Sequence, residues 1–142
     1  MKLHLLALDG VFDTGLSVLL DAFTTANELA AMQGLESLRF DVTLVGVRKR
    51  VRSAQGFTVP VCEAPTDARP DWVVVPAIGY KMPDALQQAL QRPDVRDAGT
   101  LLRASAEQGA NIAAACIGTF VLAESGLLDQ RPATTTWWLA PL

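Results

Sequence analysis

Residues 111–126 join an apolar run to a helical pattern through one cysteine, Cys116. Residues 111–115 have the character of a buried strand, and apolar residues at helical spacing follow the cysteine at once. Small residues stand two positions before it, at Ala114, and two positions after it, at Gly118. This spacing resembles a nucleophile elbow, a sharp strand-to-helix turn that holds one side chain above the edge of a sheet. The flanking residues must be small because the turn brings their backbones too close for side chains.

The rest of the chain alternates between strand and helix patterns, which predicts an α/β fold. The β-branched run at 71–76 is typical of a central parallel strand. We therefore predict a doubly wound, mostly parallel sheet with helices on both faces, a flavodoxin-like three-layer sandwich. The predicted strands are 3–8, 38–45, 71–76 and the elbow strand, with a hairpin at 51–53 and 57–61 and a loop at 63–70. The first predicted helix follows capping oxygens at 13–15 and ends near Gly34. Further helices are predicted near 83–91, near 94–108 and from the elbow to about 125.

Composition and charge limit the possible classes of protein. The 142 residues are expected to form one domain, and half of them are hydrophobic. A net charge of -3 argues against a segment that itself grips nucleic acid. The apolar part of the amino terminus is too short to span a membrane, so a cytoplasmic protein without membrane contact is expected. The sequence has no spacing typical of metal ligands, and no cofactor is expected.

The carboxyl terminus is unusually apolar, since residues 137–142 contain two tryptophans and two leucines. Chain ends are usually polar and frayed. We therefore expect the domain to be incomplete, with the natural chain continuing beyond Leu142.

Three loops are expected to converge at the carboxyl edge of the sheet, where open parallel sheets bind their ligands. They are residues 9–15, residues 77–81 and the turn at Cys116. The backbone amides of Ile117 and of residues 77–79 could hold an anion. Asp13 lies on the first loop, where it could tune the thiol or simply cap the helix. Trp137 could present its ring to a cationic ligand or could serve ordinary packing.

Covalent catalysis by Cys116 requires a base within hydrogen-bond reach. The one histidine, His4, lies near the start of the first strand, away from the carboxyl ends of the strands. A Cys-His-acid triad is therefore excluded within this chain. A reactive thiol, an oxidisable thiol and a small buried thiol that fills a tight turn all remain open.

The chain as a whole resembles the ThiJ/PfpI-type, amidotransferase-like domain at the amino terminus of many AraC-family transcription regulators. Residues 8–12, 71–76, 115–129 and 133–138 carry this resemblance. It implies a ligand-sensing and dimerisation domain. The protein would be a homodimer and would bind a small-molecule effector near Cys116. By resemblance the effector is an amino acid, a betaine or a similar nitrogenous compound. DNA would be contacted only through a helix-turn-helix domain that is absent from this chain.

The chain also departs from the patterns that it resembles. The similar enzymes commonly carry a histidine after the cysteine or later in the chain, and an acid early in the first helix, where this chain has Ile117 and Gly15. The regulators often show Thr-His-Trp where this chain has residues 135–137, and a glycine pair where it has Ala77 and Ile78. These departures favour a pocket that binds without reacting. The expected ligand-binding residues are Asp13, Gly15, Ala77, Ile78, Cys116, Ile117 and Trp137, and no catalytic residue is expected.

Two other classes of function remain open at this point. The first is a cysteine-dependent enzyme of the hydrolase, glyoxalase or deglycase kind, which needs a base that the sequence does not reveal. The second is a redox sensor in which Cys116 is oxidised to a sulfinic acid.

Overall fold

The computed structural model describes residues 1–35, 37–64 and 69–141. The described strands and helices follow one another along the chain. They are β1 (Lys2–Leu6), α1 (Asp13–Met32), β2 (Asp41–Gly46), β3 (Val51–Arg52), β4 (Thr58–Val59), β5 (Cys62–Glu63), β6 (Trp72–Val75), α2 (Pro83–Leu90), α3 (Pro93–Glu107), β7 (Asn111–Ala114) and α4 (Gly118–Glu124).

The central sheet has the strand order β5-β2-β1-β6-β7, and each neighbouring pair is parallel. Strand β6 lies between β1 and β7, which confirms the prediction that the β-branched run is a central strand. Strands β3 and β4 form a separate antiparallel hairpin, also as predicted. The mostly parallel sheet with its helices confirms the α/β fold class.

Two hydrophobic clusters cover opposite faces of the sheet. Alternate residues of one strand belong to different clusters, because side chains alternate between the faces of a sheet. Val45 of β2 packs in the cluster formed with helices α2, α3 and α4, whereas Leu44 packs against the cluster that contains Leu16 of α1. None of the helices in the described ranges is both long and apolar enough to cross a membrane.

Three predicted boundaries near the sheet were wrong. Strand β1 ends at Leu6 rather than at residue 8, and β2 begins at Asp41 rather than at residue 38. The backbone N–H and C=O of Phe40 are both bonded to the side chain of Asn27, at 2.8 Å each, so they are not available to a neighbouring strand. Residue 63, predicted to begin a loop, lies in the edge strand β5. The remainder of that predicted loop includes residues 65–68, which lie outside the described residues.

His4 lies in the middle of β1, paired with residues of β2 and β6, and is half-buried. Burial lowers the pKa of its imidazole below the ordinary value, and the carboxylate of Asp41 partly opposes this effect. The folded state therefore binds this proton less readily than the unfolded state does. The contribution of His4 to stability is complete above its unfolded pKa of about 6.5 and is lost as the pH falls through its folded pKa.

We expect His4→Gln to reduce the loss of stability that accompanies acidification below about pH 6.5, because glutamine cannot take up the proton. The measurement is the free energy of unfolding by urea at neutral pH and at about pH 5.5 for both proteins. Equal losses in the two proteins would contradict the assigned direction of the pKa shift.

Candidate functional site

The order of the strands in the sheet changes direction at β1, because the chain adds β2 on one side of β1 and later β6 on the other. The loops after β1 and β6 therefore flank a crevice of the kind that binds ligands in open α/β sheets. The two loops are joined through their backbones. The Phe12 N–H donates to the carbonyl of Ala77 at 2.8 Å, and the Gly79 N–H donates to the carbonyl of Gly10 at 2.7 Å. Two of the three predicted loops therefore meet directly.

The third loop is the turn between β7 and α4. The strand ends at Ala114, and Cys116 has a φ of 53°, in the left-handed region that residues other than glycine rarely adopt. The Cys116 side chain is exposed, which argues against a thiol buried to fill a tight turn. Helix α4 begins only at Gly118, with Ile117 at its N-cap position, so the thiol precedes the helix by two residues.

Gly118 packs directly against the chain that leaves β6. A Cβ atom built at this glycine would lie 2.5 Å from the carbonyl oxygen of Val75 and 2.6 Å from that of Pro76. These contacts are with backbone atoms, which cannot move aside as a flexible side chain does. The sequence requirement for a small residue after the cysteine therefore has a definite steric cause.

The structure brings Gly15 and Ala77 together at the crevice. A Cβ atom built at Gly15 would lie 3.1 Å from Cδ1 of Phe12 and 3.8 Å from Cβ of Ala77. Ala77, Ile78 and Ile117 are nearly fully buried, at 3%, 1% and 3% exposure. These three expected binding residues are therefore buried beneath the loops, backbone and side chain alike.

Asp13 is the first residue of α1 and does not cap it, because the N-cap position belongs to Phe12. The predicted capping role was therefore wrong. The Asp13 carboxylate instead accepts the backbone N–H of Gln55 at 3.1 Å. In the same way, the Asp9 carboxylate accepts the backbone N–H of Arg52 at 2.8 Å. Both carboxylates of the first loop are bonded to the β3–β4 hairpin and its turn.

The structure leaves fewer backbone amides free to hold an anion than the sequence predicts. The Gly79 amide is already bonded to Gly10 and is not free for a ligand. In the residues that the structure describes, no group of three histidine, cysteine or acidic side chains has a metal-binding arrangement.

Trp137 is 83% exposed, and its ring contacts Trp138 edge-on at 5.8 Å between centroids. The indole N–H of Trp138, rather than of Trp137, reaches the predicted site by donating to the carbonyl of Lys81 at 3.1 Å. The Lys81 ammonium lies 4.8 Å from the centroid of the Phe12 ring. The tryptophan pair is therefore tied to the loop after β6, with the Trp137 ring open to solvent.

Sequence reasoning missed Arg92, which holds the outer ends of the first two loops. Its guanidinium donates to both carboxylate oxygens of Asp94, to the hydroxyl of Tyr80 at 2.8 Å and to the carbonyl of Asp9 at 2.7 Å. The hydrogen bond to Asp94 raises the pKa of Arg92 further above its usual value. The neighbouring Asp94 was a local signal for an ion pair, but the contacts to Tyr80 and Asp9 depend on the tertiary fold.

Two threonines that the sequence analysis did not select hold the backbone of Cys116. The hydroxyl of Thr119 donates to the Cys116 carbonyl at 2.8 Å, and that of Thr135 approaches the same oxygen at 3.5 Å. The next residue, Thr136, stands where the similar regulators often carry histidine. Its hydroxyl oxygen is buried without a hydrogen-bond partner within the described ranges.

Comparison with known proteins gives a family match over almost the whole chain. A sequence model of the DJ-1/PfpI family matches residues 1–141. An uncharacterized protein in the cpoL 5′ region of Streptomyces lividans is 34% identical over 140 residues, covering 96% of this chain and 87% of that protein.

Solved structures share the fold at lower identity. A crystal structure of an AraC family transcriptional regulator from Pseudomonas putida superposes with a TM-score of 0.70 at 24% identity, covering 92% of this chain. This chain spans 63% of that regulator's chain. Oxidized DJ-1 from Toxoplasma gondii superposes with a TM-score of 0.66 at 18% identity, covering 94% of this chain and 66% of that one.

We expect Gly118→Ala to lower the free energy of unfolding by about 3 kcal/mol, because the new methyl group overlaps two carbonyl oxygens. Gly99→Ala in α3 is the matched control. There the nearest contact of a Cβ atom is 3.4 Å, with Cα of Ser125, and the better helix propensity of alanine offsets the crowding. Urea unfolding of both variants checks the difference, and a Gly118→Ala protein as stable as the control would contradict the described turn.

Proposed function

This chain belongs to the DJ-1/PfpI family, and within that family we propose that it is a non-catalytic ligand-sensing and dimerisation domain of a transcription regulator. The observation that carries the proposal is the environment of the exposed Cys116 thiol. The carboxylates of Asp9 and Asp13 are bonded to hairpin amides, and His4 lies in the middle of a strand rather than on a loop. This arrangement favours binding over covalent chemistry, since a nucleophilic thiol needs a nearby base.

The likeness to the Pseudomonas putida AraC family transcriptional regulator supports the choice of a regulator. In that interpretation, the effector binds above the crevice, between Cys116 and the loops that carry Gly15 and Ala77. Its greater affinity for one arrangement of the protein shifts the equilibrium toward that arrangement. A helix-turn-helix domain outside this chain contacts DNA, and the regulator acts in the cytoplasm.

We expect isothermal titration against amino acids and betaines to reveal at least one ligand. Trp137→Ala should weaken a quaternary ammonium ligand by about 1 kcal/mol, or roughly fivefold, because the exposed indole ring can hold a cation. Cys116→Ala should also change its affinity. Cys62→Ala, which removes the other exposed thiol, is the control and should bind as the parent protein does. If no compound in the panel binds, or if every variant binds equally, the assigned effector site is wrong.

The exposed thiol in a left-handed turn favours a second candidate, a cysteine-dependent enzyme or a cysteine redox sensor. Strained backbone is often found at functional sites. Turnover of methylglyoxal that disappears in Cys116→Ala would favour the enzyme. Added oxygen on Cys116 after mild peroxide treatment, detected by mass spectrometry, would favour the sensor.

Dimerisation is proposed on the outer face of α1. Its exposed stripe, defined as Val18, Ala22, Thr25, Leu29 and Met32, has alternating spacings of four and three residues. Val18, Leu29 and Met32 are 59%, 50% and 82% exposed. This is the spacing with which two helices pack along a common seam. A twofold pair would bring the same stripe together from both copies.

The charges beside the exposed stripe would weaken such a pair at low salt. Helix α1 carries Asp13, Asp21 and Glu28 and has no basic residue in its sequence. Asp21 and Glu28 lie next to the stripe on the helical wheel, so a pair of identical helices brings like charges together. Screening of these charges should strengthen association.

We expect a dimer whose dissociation constant decreases between about 0.1 M and about 1 M salt, as the screening length falls from about 10 Å to about 3 Å. Leu29→Glu should produce monomers, whereas Thr24→Glu, on α1 but outside the stripe, should not. Sedimentation velocity measures the association. If Leu29→Glu forms dimers as stable as those of Thr24→Glu, then α1 does not form the interface.

A further inference from the structure

A cavity of about 300 Å³ lies between α4 and the segment 133–140. Its lining includes none of the residues assigned above to effector binding. The volume is at the lower end of the range of small-molecule sites, about 300–1,000 Å³. The cavity is therefore large enough for a small organic molecule, and its lining residues differ from those of the proposed effector site, which it adjoins at the Cys116 backbone.

The walls of the cavity are mainly apolar and uncharged. Phe120 and Leu128 contribute large hydrophobic side chains, and Ala123 contributes a small one. Among the described residues that line the cavity, none is acidic or basic. A charged ligand would gain no opposite charge here, whereas an apolar group gains contact with Phe120 and Leu128. The lining therefore favours an uncharged molecule.

Three threonines supply the polar part of the lining: Thr119, Thr134 and Thr135. The hydroxyl of Thr119 donates its hydrogen to the Cys116 carbonyl, and that of Thr135 is oriented to the same oxygen at 3.5 Å. A hydroxyl has one hydrogen to donate and two lone pairs that accept. With its hydrogen committed to Cys116, the Thr119 oxygen is left as an acceptor, and its best partner is an N–H or O–H group.

We propose that this cavity binds a small uncharged molecule with an apolar body and an N–H or O–H donor. The body packs between Phe120 and Leu128, and the donor reaches Thr119. Because the Thr119 hydroxyl bonds to the backbone carbonyl of Cys116 and not to its thiol, this site does not require the cysteine side chain.

Benzamide is the test ligand, since it combines an aromatic body with an amide donor at neutral charge. Its charged isosteres, benzoate and benzamidinium, provide the comparison. The measurement is a titration of the ¹⁵N-labelled chain followed by amide chemical shifts. Saturable shifts are expected at Thr119, Ala123 and Thr134, with an affinity for benzamide about tenfold or more above that for either ion.

Two variants locate the binding site. Ala123→Phe should fill the cavity and abolish the benzamide shifts, whereas Ala104→Phe, the same change at an exposed position of α3, should preserve them. Thr119→Val keeps the shape but removes the acceptor, and should weaken benzamide at least fivefold. Cys116→Ala should bind benzamide as the parent protein does, which separates this site from the effector site.

Absence of saturable benzamide shifts, equal binding of the charged isosteres, or unchanged binding to Ala123→Phe would each overturn the proposal. Loss of benzamide binding in Cys116→Ala would also overturn it, because the ligand would then occupy the thiol site.

Discussion

The contact between Gly118 and the carbonyls of Val75 and Pro76 sets the geometry of the whole site. It fixes the distance between the start of α4 and the end of β6. With α4 this close, the chain after β7 must turn sharply, and Cys116 takes the left-handed conformation at the turn. The thiol is exposed as a consequence of backbone packing.

Polar groups around the crevice are largely committed to holding its loops. Asp9 and Asp13 bind amides of the hairpin and its turn, and Arg92 connects α3 with Tyr80 and the carbonyl of Asp9. In an enzyme the corresponding carboxylates would need to face the reacting atoms. Their engagement elsewhere is the reason for proposing a receptor rather than an enzyme.

Periodicity and small-residue spacing were sufficient to predict the class of fold, the central position of β6 and the turn at Cys116. They could not reveal side-chain contacts between distant segments. The Asn27 side chain delays the start of β2, and the hydrogen bond from Gln55 redirects Asp13 away from a capping role. Trp138 and Lys81 meet only in the folded chain. Such contacts join residues far apart in sequence, and no local pattern records them.

The conformational strain at Cys116 is the most direct test of this account. Glycine adopts a positive φ without the steric cost that a Cβ atom brings, whereas alanine keeps that cost. Both Cys116→Gly and Cys116→Ala lack the thiol, so the difference between their free energies of unfolding reports the cost of the backbone conformation alone. The glycine variant is expected to be more stable by about 1 kcal/mol. An alanine variant that is equally or more stable would mean that residue 116 is not held in the left-handed turn, and the proposed site would lose its basis.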